Sequence, residues 1–163
     1  MPTPALIASY WLHLLATVIW LGGLAMLVLA AWQLRDASSQ ATLDALERRF
    51  HPWGNVSLAV LIVTGLIQMG GDSHYEGLLI VRNPWSVGLL AKHVVIGGMV
   101  AVSVALQWGI YPALERARLL AERSPMEGAT AEAALRRRLR WLMMLNLGLG
   151  VLVLALTAAI TAF

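Results

Sequence analysis

Four long apolar segments separated by three polar connections dominate the pattern of hydrophobic and polar positions along the chain. They run from about 5 to 32, 53 to 69, 84 to 111 and 141 to 163. Each is near or above the roughly 17–25 residues that a helix needs to cross a bilayer, whereas barrel strands would be shorter and would alternate. The pattern predicts a single domain over residues 1–163, an all-α integral membrane protein built as an up-down four-transmembrane-helix bundle.

The three connections differ in the local structure that they predict. The first, 34–52, is expected to carry a short amphipathic helix. The second, 70–83, is expected to be a loop. In the third, 113–140, we expect the preceding helix to continue, to break near Ser124 and to restart near Thr130.

Composition supports a membrane protein. The chain is 59% hydrophobic and 13% charged, against roughly 45–50% and about 25% in soluble domains. The net charge of +3 does not indicate nucleic-acid binding, because the basic residues are confined to loops beside apolar spans. There is no cysteine, which excludes thiolate metal sites and cysteine nucleophiles.

The distribution of basic residues predicts the orientation. Ten of the twelve lie in or beside the first and third connections: Arg35, Arg48, Arg49, Arg116, Arg118, Arg123, Arg136, Arg137, Arg138 and Arg140. Because basic loops stay in the cytoplasm, these connections are predicted to be cytoplasmic. Both termini and the 70–83 loop then face the outer side of a bacterial-type inner (cell) membrane.

Two histidines, His13 and His93, lie inside predicted spans, where ionisable side chains are costly and are functional candidates. Both lie roughly 12–14 Å in from the outer ends of helices that run in the same direction. The first and third helices of an up-down bundle are commonly diagonal partners. We therefore predict that the two imidazoles ligate one haem b, since haem iron takes two axial ligands. The alternative is that each is a hydrogen-bonded structural residue.

Other residues at this depth fit a cofactor site. Thr64, Gly65 and Gly97 are small and would leave room for a flat macrocycle. Lys92, beside His93, and Arg82, in the outer loop, could pair with haem propionates, although Lys92 could also extend to the interface.

Weaker candidates remain for a metal or a second cofactor. Met69 is a soft potential copper ligand, and His74 in the outer loop could bind a metal, although packing and solvated-loop roles are the alternatives. His51 lies near the inner interface, where it could support a second haem.

Three stretches resemble the copper-resistance protein D (CopD) family. His13-Leu-Leu-Ala-Thr-Val-Ile-Trp-Leu-Gly-Gly23 is similar to its first helix, Arg48-Arg49-Phe50 followed by Thr64-Gly65 to its second, and Trp85-Ser-Val-Gly-Leu-Leu-Ala-Lys92 to the start of its third. The resemblance extends to the HemJ type of protoporphyrinogen oxidase, which shares a first-helix histidine and a third-helix lysine. It implies a membrane bundle associated with copper or with haem, and His93 is not part of the family pattern.

Four functions remain open. The first is a b-type cytochrome-like protein that passes electrons from quinol or another membrane donor to an outer-side redox partner. The second is CopD-like copper transport or handling, with His13, His93, Met69 and His74 as ligands. The third is HemJ-like porphyrinogen oxidation through His13 and Lys92. The fourth is a small structural subunit of a larger respiratory complex. We assign no catalytic residue, because electron transfer or transport is favoured over catalysis.

Overall fold

The computed structural model describes residues 4–34, 37–71 and 84–161, and helices account for nearly all of these described residues. The elements are α1 (Pro4–Gln33), α2 (Ala37–Gly70), α3 (Pro84–Val104), a π-helical segment (Ala105–Ile110), α4 (Tyr111–Arg123) and α5 (Pro125–Thr161). Within these ranges there is no strand, and four helical stretches are long and apolar enough to cross a membrane. The predicted all-α membrane class with four transmembrane helices is confirmed.

The chain divides into two compact units, Met1–Ser86 and Val87–Phe163. In the first unit, α1 and α2 form an antiparallel hairpin. Ser9 near the start of α1 contacts Thr64 near the end of α2, whereas Leu34 just after α1 accepts a hydrogen bond from Gln40 near the start of α2. We call this pair of helices hairpin 1.

Helix α2 corrects one prediction about the first connection. The amphipathic segment is not a separate short helix, because α2 continues from Ala37 through Pro52 to Gly70. Proline in a helix removes one backbone hydrogen bond and usually bends or ends the helix. The helix continues through the proline here, and Leu43 and Glu47, before it, and Ser57, after it, are all buried.

Close packing in hairpin 1 centres on Phe50. A Cβ added to Gly23 of α1 would overlap the Phe50 ring, and one added to Gly54 of α2 would lie 3.2 Å from its Cε1. The ring therefore lies between two glycines, one on each helix. Small residues at helix contacts allow close approach in membrane proteins, and here the space is filled by an aromatic side chain from the neighbouring helix.

In the second unit, α3, the π-helical segment and α4 form one continuous helical stretch that packs antiparallel to α5, and we call it hairpin 2. Ser103 meets Asn146 in the middle, and Arg118 meets Glu132 nearer the turn. The helix ends at Arg123, so the predicted break near Ser124 is confirmed, but α5 begins at Pro125 rather than near Thr130. Proline suits the first position of a helix because its missing N–H would be unpaired there.

Gly23→Ala should destabilise the protein, because the new methyl group would displace the Phe50 ring. Overpacking of this kind costs about 1–3 kcal/mol. Gly22→Ala is the matched control, since nothing lies within 4 Å of a Cβ added at Gly22. Alanine is favoured over glycine inside a helix by about 1 kcal/mol at either position, so Gly22→Ala should be at least as stable as the wild-type protein. The unfolding free energies of both variants can be measured by titrating the detergent-solubilised protein with sodium dodecyl sulfate. Equal stability of the two variants would contradict the packing described for Phe50.

Candidate functional site

His13 is held on α1 by a hydrogen bond to α2. Its Nδ1 lies 2.8 Å from Oγ1 of the buried Thr64. That hydroxyl donates its single proton to the Val60 carbonyl oxygen, 2.6 Å away, so it accepts from His13 and Nδ1 carries the proton. In the neutral imidazole the lone pair is then on Nε2. A histidine whose Nδ1–H is fixed in this way is arranged as Nε2 metal ligands usually are.

Further polar contacts join the two helices around this bond. The Ser9 hydroxyl donates to the Thr64 carbonyl oxygen at 3.3 Å, and Gln68 Nε2 donates to the Ser9 carbonyl oxygen at 3.3 Å. We call Ser9, His13, Thr64 and Gln68 the polar cluster of hairpin 1. Such bonds hold helices together in a bilayer, where water cannot replace them. Sequence reasoning did not identify Ser9 and Gln68, although polar residues inside an apolar span were an available signal.

Gly65 brings the α2 backbone close to the imidazole. A Cβ at Gly65 would lie 3.7 Å from His13 Cε1, which is ordinary contact distance, so a larger side chain there would crowd the ring. Met69 follows one turn later on the same side of α2 and is half-buried. Side chains in helices lean toward the helix N-terminus, so we expect the Met69 thioether to reach toward the level of Gly65.

His93 in hairpin 2 also carries its proton on Nδ1, but there the acceptor is a backbone carbonyl of its own helix. Its Nδ1 lies 2.7 Å from the Leu89 carbonyl oxygen. A carbonyl can only accept, so Nδ1 carries the proton and the lone pair of the neutral ring is on Nε2. His93 and its neighbour Lys92 are both half-buried. Gly97 follows one turn later, with nothing within 4 Å of an added Cβ.

The predicted site residues therefore fall into three groups. His13, Thr64 and Gly65 meet in hairpin 1, and Met69 lies near them on α2. Lys92, His93 and Gly97 lie on α3 in hairpin 2. Arg82 and His74 lie outside the described residues. Ligation of one cofactor by His13 and His93 stays a prediction.

Metal sites of the common carboxylate–histidine type are not found in residues 4–34, 37–71 and 84–161: no group of three or more His, Cys, Asp or Glu there could hold a metal ion. His51 is half-buried on α2. Methionine thioethers, which that count does not include, are soft ligands that favour Cu(I).

Hairpin 2 contains one polar contact that sequence reasoning missed. Nδ2 of the buried Asn146 donates to Ser103 Oγ at 3.1 Å, and that hydroxyl donates to the Met99 carbonyl oxygen at 2.9 Å. Asn146 Oδ1 has no hydrogen-bond partner within the described part of the chain. The contact lies just before the π-helical segment that starts at Ala105, and π-helical turns often mark functional positions. Its best-supported role is to join α3 to α5.

A family model described as Copper resistance protein D matches residues 44–160. The match takes in most of α2 and all of α3, α4 and nearly all of α5, and so includes Thr64, Gly65, Met69, Lys92 and His93. Helix α1, which carries His13, precedes it. No curated protein and no solved structure matches the chain.

Thr64→Val should change which nitrogen of His13 carries the proton. The valine keeps the shape but cannot accept the Nδ1 hydrogen bond, so the neutral ring should populate both tautomers. The ¹⁵N chemical shifts of histidine-labelled protein report this directly. Thr64→Ser retains the hydroxyl and should keep the Nδ1–H form. Thr157→Val, which removes a hydroxyl bonded only to the Val153 carbonyl oxygen, serves as a control. An unchanged His13 spectrum in Thr64→Val would show that Thr64 does not fix the tautomer.

Proposed function

We propose that this chain, which belongs to the copper-resistance protein D family, binds copper inside a membrane and moves it across. Copper is here the cargo and not a resident cofactor. The family membership carries this proposal, and the four apolar helices provide the membrane domain that such a role requires. The chain has no cysteine, so imidazole and thioether groups are the side-chain donors that remain suited to copper.

The protonation pattern of the two histidines supports the proposal. Nδ1 of His13 is bonded to Thr64 and Nδ1 of His93 to Leu89, which leaves Nε2 as the lone-pair nitrogen in both rings. The bonds to Thr64 and Leu89 fix the tautomer and orientation of each imidazole, as second-sphere hydrogen bonds do at known metal sites. One such bond also suits a structural histidine, and in both rings it leaves the other nitrogen with a lone pair that can bind a metal.

Hairpin 1 offers a specific pair of copper ligands. His13 supplies Nε2, and Met69 supplies a thioether that is expected to reach along α2 toward Gly65, against which the His13 ring packs. A mixed nitrogen and sulfur pair suits Cu(I), which accepts soft ligands. Thr64 then acts as a positioning residue, and Gly65 leaves room for the imidazole to lie against α2.

His93 is the corresponding histidine of hairpin 2. It lies nine residues after Pro84, the first residue of α3, as His13 lies nine residues after Pro4, the first residue of α1. We propose that His93 is a further copper ligand, with His74 receiving copper from the loop before α3.

We place the protein in a bacterial-type inner membrane with both termini outside. In each hairpin considered alone, the arginines lie toward the turn end and the histidine toward the open end. The bias of basic residues toward the cytoplasm puts the turn ends inside and the histidines near the outer face. Copper would then be bound first from the outer side.

The family match favours copper over the haem hypothesis, which it does not support. HemJ-like oxidation through His13 and Lys92 stays a prediction. A pyridine haemochrome assay on the purified protein separates these possibilities: stoichiometric haem would contradict copper as the cargo of these histidines.

Purified protein should bind Cu(I) in competition with a chromogenic chelator, and His13→Ala and Met69→Leu should each lower its affinity by more than about tenfold. Even loss of a second-sphere hydrogen bond weakens metal sites by about 10–100-fold, and these changes remove ligands. Thr64→Val, which removes such a hydrogen bond from His13, should weaken Cu(I) binding by about 10–100-fold. His51→Ala, on α2 but away from Thr64 and Gly65, should leave the affinity unchanged. Equal affinity in the wild-type protein and His13→Ala would remove His13 from the site.

A further inference from the structure

Exposed arginine and tryptophan side chains stand together where the apolar part of α5 begins. Arg137 and Arg138 are exposed, Trp141 is 58% exposed, and exposed Met144 and Leu145 follow. Residues four apart lie on one helix face about 6 Å apart along the axis, so Arg137 lies directly before Trp141. Tryptophan prefers the headgroup level of a bilayer. Arg137 is therefore at the level of lipid phosphates.

The acidic residue of this region binds a different arginine. Glu132 Oε1 lies 2.7 Å from Arg136 Nη2 and 3.7 Å from Arg118 Nε. The positions three and four residues from Arg137 hold Ala133, Ala134, Arg140 and Trp141, so none supplies a carboxylate on its own face of the helix. The positive charge of Arg136 is neutralised within hairpin 2, and that of Arg137 is directed outward.

Helix α2 has the same arrangement. Arg49 is exposed and stands four residues before Trp53, which is 65% exposed and is followed by exposed Val56. The positions three and four residues from Arg49 are Ala45, Leu46, Pro52 and Trp53, again without a carboxylate. We call Arg49–Trp53 and Arg137–Trp141 the interfacial Arg–Trp pairs. Each lies on the second helix of its hairpin.

We propose that each interfacial Arg–Trp pair binds the phosphate group of an anionic phospholipid. The guanidinium donates two parallel hydrogen bonds to phosphate oxygens, and the indole lies beside the glycerol and upper acyl chains of the same lipid. Arg138 and Arg140, which follow Arg137 in the sequence, add positive charge that favours a headgroup of net negative charge over a zwitterionic one. The site is independent of copper binding.

Native mass spectrometry of the full chain, released from micelles containing equal amounts of phosphatidylglycerol and phosphatidylcholine, tests this directly. The wild-type protein should retain phosphatidylglycerol preferentially. Arg137→Gln and Arg49→Gln should each weaken retention about fivefold at one site, the effect of about one basic residue near a charged membrane surface. Arg137→Lys keeps the charge but loses the paired hydrogen bonds, so retention should be intermediate.

Arg136→Gln is the matched control, because Arg136 is one residue away but is bonded to Glu132. Its retention of phosphatidylglycerol should equal that of the wild-type protein, with unchanged helical circular dichroism in all variants. Three results would overturn the proposal: equal retention of the two lipids, an equal loss in Arg136→Gln and Arg137→Gln, or displacement of the lipid by millimolar inorganic phosphate, which would indicate a site for free anions.

Discussion

A polar side chain inside a bilayer must find its hydrogen-bond partner within the protein, and the bond between His13 and Thr64 is where this constraint shapes the molecule most. The bond joins α1 to α2 at the open end of hairpin 1 and fixes the proton on Nδ1. One contact therefore does two things. It satisfies a group that lipid cannot satisfy, and it determines that Nε2 is the nitrogen with a lone pair. Stability and candidate chemistry share the same atoms.

The resemblance to the copper-resistance protein D family has a physical explanation in hairpin 1. The glycine pair that ends the first-helix motif and the Arg-Arg-Phe motif before the second span are far apart in sequence, yet the Phe50 ring lies on Gly23. His13, which begins the first motif, meets Thr64 and Gly65. Each motif therefore supplies one partner to each of two contacts between α1 and α2. One contact sets how closely the helices pack near the turn, and the other sets the polar cluster.

Much of this fold follows from the length of the apolar segments, because a bilayer leaves helices as the only local solution for them. The break at Ser124 followed from the Ser-Pro sequence. The continuity of α2 through Pro52 did not, because proline usually bends or ends a helix, whereas in the structure the helix continues with Leu43 and Ser57 buried on either side of it. In the sequence Thr64 was a candidate because it is small, whereas in the structure its hydroxyl accepts a hydrogen bond from His13 Nδ1–H. Partner identity is a tertiary property, so the polar residues Ser9 and Gln68 could be noticed in their apolar spans but their partners could not be predicted.

We propose that the polar cluster of hairpin 1, which satisfies the hydrogen bonding of His13, also prepares this histidine to bind copper. Cu K-edge X-ray absorption of the Cu(I)-loaded protein tests this most directly, since it identifies the atoms bound to the metal. We expect low-coordinate Cu(I) bound to both imidazole nitrogen and thioether sulfur, with the nitrogen contribution falling in His13→Ala and the sulfur contribution in Met69→Leu. The same set of copper-bound atoms in the wild-type protein and both variants would contradict the proposal.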